Sequence, residues 1–166
     1  MKEIQLSQFG KNRGKYVALV DDEDFEALNQ FRWHVSKSRN TIYAVRNVLD
    51  GEKKTMMRMH CMILKRKGID HIDMNGLNNQ KDNLRLCTRS ENSMNINKRK
   101  QESCTSIYKG VAFYKHSGKW TAQIGINGKK IHIGYFASEV EAAKAYNAKA
   151  IELFCEFANL NLISHT

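Results

Sequence analysis

Gly68-Ile69-Asp70-His71-Ile72-Asp73-Met74-Asn75-Gly76-Leu77-Asn78-Asn79-Gln80-Lys81-Asp82-Asn83-Leu84-Arg85-Leu86-Cys87-Thr88-Arg89-Ser90-Glu91-Asn92 sets the reading of the whole chain. Asp70-His71 marks a strand start, and the asparagines with Gly76 supply turn chemistry. A second strand is entered through Asp82-Asn83-Leu84-Arg85, and Thr88 or Ser90 can cap the helix that follows. With the short helical stretch Met59-His60-Cys61-Met62-Ile63-Leu64 before it, this predicts a β-hairpin closed by a helix.

Such a unit brings chemistry together. The Asp70 carboxylate is a hard oxygen ligand suited to Mg²⁺ or Mn²⁺, and Asn92 on the helix can add an amide oxygen to the same ion. His71 points to the opposite side of its strand, where a neutral imidazole can take a proton from water. Phosphodiester hydrolysis requires this combination. An Asp-His pair and an Asn-rich turn are each common, so the weight lies on the whole string.

From about His60 to Asn95 the string resembles the HNH endonuclease family, also called the ββα-metal nucleases, and in particular the HNH homing endonucleases of phages and introns. The resemblance implies that His71 is the general base and that Asp70 with Asn92 binds one divalent cation. Asn83 matches the family's middle Asn, whose amide ties the hairpin together and helps hold the base, with Asn92 nine positions on. His60 matches a histidine common at the start of the family's first helix and is assigned a packing or orienting role. Asn92 stands where some relatives carry His, which favours Mg²⁺, with Mn²⁺ as the alternative and no structural zinc. Ile96 is not a ligand.

Further along, Trp120-Thr121-Ala122-Gln123-Ile124-Gly125-Ile126 and Lys129-Lys130-Ile131-His132-Ile133-Gly134-Tyr135-Phe136 alternate on either side of Asn127-Gly128, a strong two-residue hairpin signal. With that loop, Ile126 opposes Lys129, Ile124 opposes Ile131 and Ala122 opposes Ile133. One face is then apolar, and the other carries Thr121, Gln123, Lys130 and His132. Ser138-Glu139-Val140-Glu141 is a capping box. It opens a helix with Ala143, Tyr146, Ala150 and Phe154 on one stripe, and Val111 to Tyr114 supplies a third strand.

Tyr108-Lys109-Gly110-Val111, Gly118-Lys119-Trp120, Gly134-Tyr135-Phe136, Ala142-Ala143-Lys144-Ala145-Tyr146-Asn147 and Glu156-Phe157-Ala158-Asn159-Leu160-Asn161 are similar to the AP2 domain, over about Ser106 to Leu162. In that family the sheet lies in the major groove. The resemblance therefore implies DNA contacts at Lys109, Tyr114, Gln123, Lys130 and His132, with Lys115 and Lys119 on phosphates. Ala112 and Gly125 stand where plant AP2 domains use Arg, so a target sequence does not carry over.

The rest of the chain frames these motifs. In 166 residues there is room for one ordinary domain or two to three small ones. A hydrophobic content of 42% against 27% charged residues excludes wholesale disorder. No apolar run is long enough to cross a bilayer, and the start of the chain lacks an apolar signal region, so a cytoplasmic, reducing location, in a bacterial host or phage-encoded, is expected. Cys61, Cys87, Cys104 and Cys155 form no C-x-x-C pair and are expected to be small, buried or neutral residues.

A net charge of +10 points to a polyanionic partner. It is +1 over residues 1–50, +6 over 51–103 and +3 over 104–166. Tyr16-Val17-Ala18-Leu19-Val20 and Thr41-Ile42-Tyr43-Ala44-Val45 read as strands, and Trp33 begins another. Between them Asp21 or Asp22 can cap a helix carrying Phe25, Leu28 and Phe31, the cluster Asp21 to Asp24 being its solvated start. This first part serves as support, or as an auxiliary DNA contact through Lys11, Arg13 and Lys15.

The expected organisation is α+β. A strand-rich supporting segment (1–52) precedes the HNH unit (53–97), a basic linker (98–105) and an AP2-like three-stranded antiparallel sheet packed on one helix (106–162). The expected activity is homing-type, site-specific cleavage of double-stranded DNA with one divalent ion, no membrane partner, and a monomer as the default state. The competing reading is a non-catalytic AP2-type regulator with a vestigial HNH scaffold. Asp70, His71, Asn83 and Asn92 all being in place argues against it, since a scaffold does not need all four.

Overall fold

The structure, a computed structural model, describes residues 1–7, 9–38, 41–98 and 104–163. It has a mixed α/β fold that divides into two compact units, Met1–Arg89 and Ser90–Thr166. Among the described residues, no helix is long and apolar enough to cross a membrane.

In the first unit, β1 (Lys2–Gln5) pairs antiparallel with β2 (Val17–Val20), setting Ile4 opposite Ala18. Helix α1 (Asp22–Asn29) follows, then an antiparallel sheet in the order β3 (His34–Lys37), β4 (Ile42–Asp50), β5 (Lys53–Arg58). A short helix α2 (Met59–Ile63) leads to the hairpin of β6 (Ile69–His71) and β7 (Leu84–Leu86). One core holds these pieces: Ile4, Leu6, Ala18, Val20, Leu28, Trp33, Ala44 and Met59 are buried together. Trp33 can sit inside because its indole N–H donates to the Leu28 carbonyl at 2.8 Å.

The loop between β6 and β7 is sewn to the N-terminal strands. Leu19 of β2 forms a parallel bridge there, with its N–H donating to the Leu77 carbonyl and its carbonyl accepting from the Asn79 N–H, both at 2.8 Å. Leu77 packs against the core. Asp21, at the start of α1, makes no side-chain cap bond; its carboxylate accepts from the Lys81 N–H at 2.8 Å and from Gln80 Nε2 at 3.4 Å. Lys81 Nζ pairs with Glu23 and, at 3.0 Å, with Asp24. The acidic cluster expected as a solvated helix start is therefore also a clamp on the loop.

Other expectations shift. Asp70 and His71 lie at the end of β6, since the strand begins one residue earlier at Ile69. The expected boundary after Glu52 falls in the β4–β5 hairpin, inside the first unit. Of the expected linker, residues 99–103 lie outside the described residues. Cys61 and Cys87 are half-buried and Cys104 and Cys155 exposed, none of the four in a disulfide, where small buried or neutral residues were expected.

The second unit opens with α3 (Arg89–Met94), whose first residue closes the first unit. It contains an antiparallel sheet in the order β10 (Lys129–Phe136), β9 (Lys119–Ile126), β8 (Val111–Tyr114), and helix α4 (Glu139–Phe154). Asn127 and Gly128 both have positive φ, 50° and 75°, as a tight two-residue hairpin loop demands. Ile126 opposes Lys129 and Ile124 opposes Ile131 as expected, but Ala122 faces Gly134 and not Ile133. A bulge at Ile133 absorbs one residue, a role that the neighbouring glycine eases.

Ser138 and Glu141 close the capping box of α4, with Ser138 Oγ accepting from the Glu141 N–H and Glu141 Oε2 from the Ser138 N–H. The helix buries Ala142, Ala143, Tyr146, Ala150 and Phe154 against Val111, Ala122 and Ile124. Asn161 ties the chain after α4 to both the helix and the approach to β8. It exchanges backbone-to-side-chain bonds with Asn147 at 2.8 and 2.9 Å, and its own amide receives the Lys109 N–H and donates to the Lys109 carbonyl.

Candidate active site and nucleic-acid interface

Asp70 and His71 are both buried, 6% and 4% exposed, although each is polar. The hairpin register sets Asp70 opposite Arg85 and His71 opposite Leu84. Arg85 grips Asp70 Oδ2 through Nη2 at 2.8 Å and Nε at 3.1 Å. Sequence reasoning missed Arg85; only the register reveals it as the cross-strand partner of the acid.

On its own side of β6, His71 sits in a pocket of rings. The His60 ring meets it edge-on at 4.8 Å, Tyr43 lies at 5.9 Å, and Asn79 Oδ1 is 3.5 Å from His71 Nε2. Burial pushes the His71 pKa below its usual value, against the raising influence of Asn79, Asp73 and Asp70. The ring is therefore neutral at pH 7, as a proton acceptor must be. Burial drives His60 further, to about 3, with the nearby His71 and Arg58 acting in the same direction. His60 is 2% exposed and its Nδ1 has no hydrogen-bond partner among the described residues.

Asn83 organises the loop. Its Nδ2 donates to Asp73 Oδ1 at 2.9 Å and to the Asn78 carbonyl at 2.8 Å, while its Oδ1 accepts from the Asp73 N–H at 3.0 Å. One buried amide thus spans the turn that separates the strands of the hairpin. Asn92 is exposed on α3, in the second unit.

In the second unit, strand alternation puts Tyr114, Lys119, Gln123, Lys130 and His132 on the sheet face away from α4. All five are exposed. Lys115 is exposed in the turn after β8. Lys109 is placed differently: half-buried, its Nζ donates to the Met94 carbonyl at 2.8 Å, and burial lowers its pKa to about 8. The bulge at Ile133 adds a residue that sequence reasoning missed. It returns Tyr135 to the polar face opposite Thr121, where its ring lies 4.7 Å from His132 and 5.7 Å from Tyr114. Strict alternation from His132 hid it.

A family model described as HNH endonuclease matches residues 65–94, the span that carries this hairpin and its loop. Over 165 residues the chain is 32% identical to an uncharacterized HNH endonuclease of Acanthamoeba polyphaga mimivirus, covering 96% of this chain and 82% of the relative. The chain belongs to the HNH endonuclease family. Shorter likenesses join it to plant proteins. One is 33% identity over 66 residues to the Arabidopsis thaliana AP2-like ethylene-responsive transcription factor TOE2, covering 40% of this chain and 14% of that protein. Another is 36% over 64 residues to an APETALA2-like protein 2 of Oryza sativa, covering 39% and 15%. No solved structure matches.

HNH nucleases generally use a divalent metal. The donor chemistry of Asp70 fits one: a buried carboxylate oriented by Arg85 is a hard oxygen ligand. Among the described residues no group of three or more His, Cys, Asp or Glu side chains is arranged to hold a metal ion.

Proposed function

We propose that this HNH protein is a homing-type, site-specific endonuclease of double-stranded DNA, and that it hydrolyses a phosphodiester with His71 as general base. The observation that carries this reading is the buried Asp70-His71 pair at the end of β6, acid and base on opposite sides of one strand. His71, kept neutral by burial, takes a proton from water. Arg85 fixes the direction of the Asp70 carboxylate, and Asn83 holds the loop in shape.

Asp70 and Asn92 are the proposed ligands of Mg²⁺, with Mn²⁺ able to replace it; Asn92 is retained on its spacing from Asn83 in the sequence. When bound, the ion supplies Lewis-acid stabilisation of phosphate charge. The products are 5′-phosphate and 3′-hydroxyl ends. Site selection falls to the second unit, read as AP2-like, with Gln123 and Lys130 at base edges, Tyr114, His132 and Tyr135 alongside them, and Lys115 and Lys119 on phosphates.

The experiment is cleavage of supercoiled plasmid carrying candidate sites. Cutting is expected with Mg²⁺ or Mn²⁺, abolished by EDTA, restored by added metal, and crippled by Asp70→Ala even at high metal. Full activity in EDTA would defeat the metal-dependent reading. Tight, site-selective binding without cutting under any metal would favour a non-catalytic regulator.

A further inference from the structure

Asn79, which lies beside His71 but has been given no role so far, is completely buried, at 0% exposure. Most buried polar side chains have their hydrogen bonds satisfied, and the partners of Asn79 show what it is for. The backbone N–H donates to the Leu19 carbonyl at 2.8 Å, which seats the residue against β2. Nδ2 donates to the Leu77 carbonyl at 3.1 Å. That bond settles which end of the amide is which: with the nitrogen committed to a carbonyl, the oxygen faces the other way, 3.5 Å from His71 Nε2.

An amide oxygen only accepts, so the imidazole nitrogen facing it is the one that carries hydrogen. A neutral imidazole has a single N–H, and the nitrogen that holds it is set by the hydrogen bond it makes. We propose that Asn79 is a positioning residue that fixes the Nε2–H tautomer of His71, leaving Nδ1 as the atom that accepts the proton of the attacking water. The proposal rests on the reading of His71 as general base.

The step balances. The O–H bond of water breaks and its proton goes to Nδ1. The oxygen electron pair forms the new P–O bond, the bond from phosphorus to the 3′ oxygen breaks, and that oxygen leaves with its pair and is protonated by solvent. The N-terminal segment enters catalysis by this route, because β2 holds the loop that carries Asn79.

The test uses the full chain labelled with ¹⁵N-histidine, its His71 signals assigned by their loss in His71→Gln. At pH 7.5 the wild type is expected to show a protonated Nε2 and a bare Nδ1. Asn79→Leu keeps the size of the side chain and removes the acceptor. It is expected to mix the tautomers and lower kcat for plasmid cleavage by about 10- to 100-fold, the range found when a metal-bound histidine loses its outer hydrogen-bond partner, with KM nearly unchanged. A general loosening of the fold would also change the signals of the buried His60, which loss of the Asn79 acceptor alone leaves in place. A wild-type spectrum with the proton on Nδ1 overturns the proposal without recourse to any variant, as does an undiminished kcat in Asn79→Leu. Cleavage by His71→Gln at the wild-type rate would instead remove the general-base reading itself, so the two failures are distinguishable.

Discussion

A methyl group at position 76 would meet the Ile42 carbonyl oxygen at 2.5 Å and the Tyr43 ring at 2.6 Å. Gly76→Ala is therefore expected to cost about 1–3 kcal/mol by overpacking, measured as a lower urea midpoint. It should also slow cleavage, because Tyr43 borders His71. His60 gives the pH dependence. Its pKa is about 3 in the folded protein against 6.5 for the free side chain, so between those values the unfolded chain binds a proton that the folded chain refuses. Its contribution to stability is complete above about pH 6.5 and is lost as pH falls, by roughly 2 kcal/mol at pH 5. Urea titrations at pH 7.5 and 5 should show that loss, and His60→Leu should remove most of the difference. An unchanged pH slope in the variant would refute burial as the cause. At this scale Asp70, His71 and Asn83 stood out as candidates in the sequence because they sit in one short string. Arg85 and Asn79 could not, since one depends on strand register and the other on a bridge to Leu19, 60 positions away.

Elements with local signals were legible and those made by pairing were not. The Asn127-Gly128 loop and the Ser138-Glu141 box each act within four residues, and both turns form as read. Lys2–Gln5 and Lys53–Arg58 are mostly polar and become strands only beside β2 and β4. The Ile133 bulge likewise depends on how β10 lies on β9, and it changes the makeup of the polar face by adding Tyr135. If that face binds DNA as proposed, two kinds of contact on it are separable. Lys119→Ala should weaken binding to all duplexes alike and reduce the salt slope by about one, whereas Gln123→Ala should relax preference at one base pair by roughly 1–3 kcal/mol. Affinity measured against salt, on specific and random duplexes, checks both. Equal losses on all sequences for Gln123→Ala would deny it a reading role.

For the molecule as a whole, the net charge of +10 and its concentration after residue 50 were plain from composition. The division of the chain was not. Composition changes near residue 52, but β4–β5 pairing and the Asp21 to Lys81 contacts join the N-terminal strands to the HNH hairpin in one unit. A segment that looked like separate support is thus part of the wall of the candidate active site. If this HNH chain cuts DNA through His71, the rate of supercoiled plasmid cleavage in Mg²⁺ separates His71→Ala from the wild type. His71→Ala is expected to lose at least ~10² in rate with DNA affinity almost unchanged; cleavage by that variant near the wild-type rate would mean that His71 is not the base.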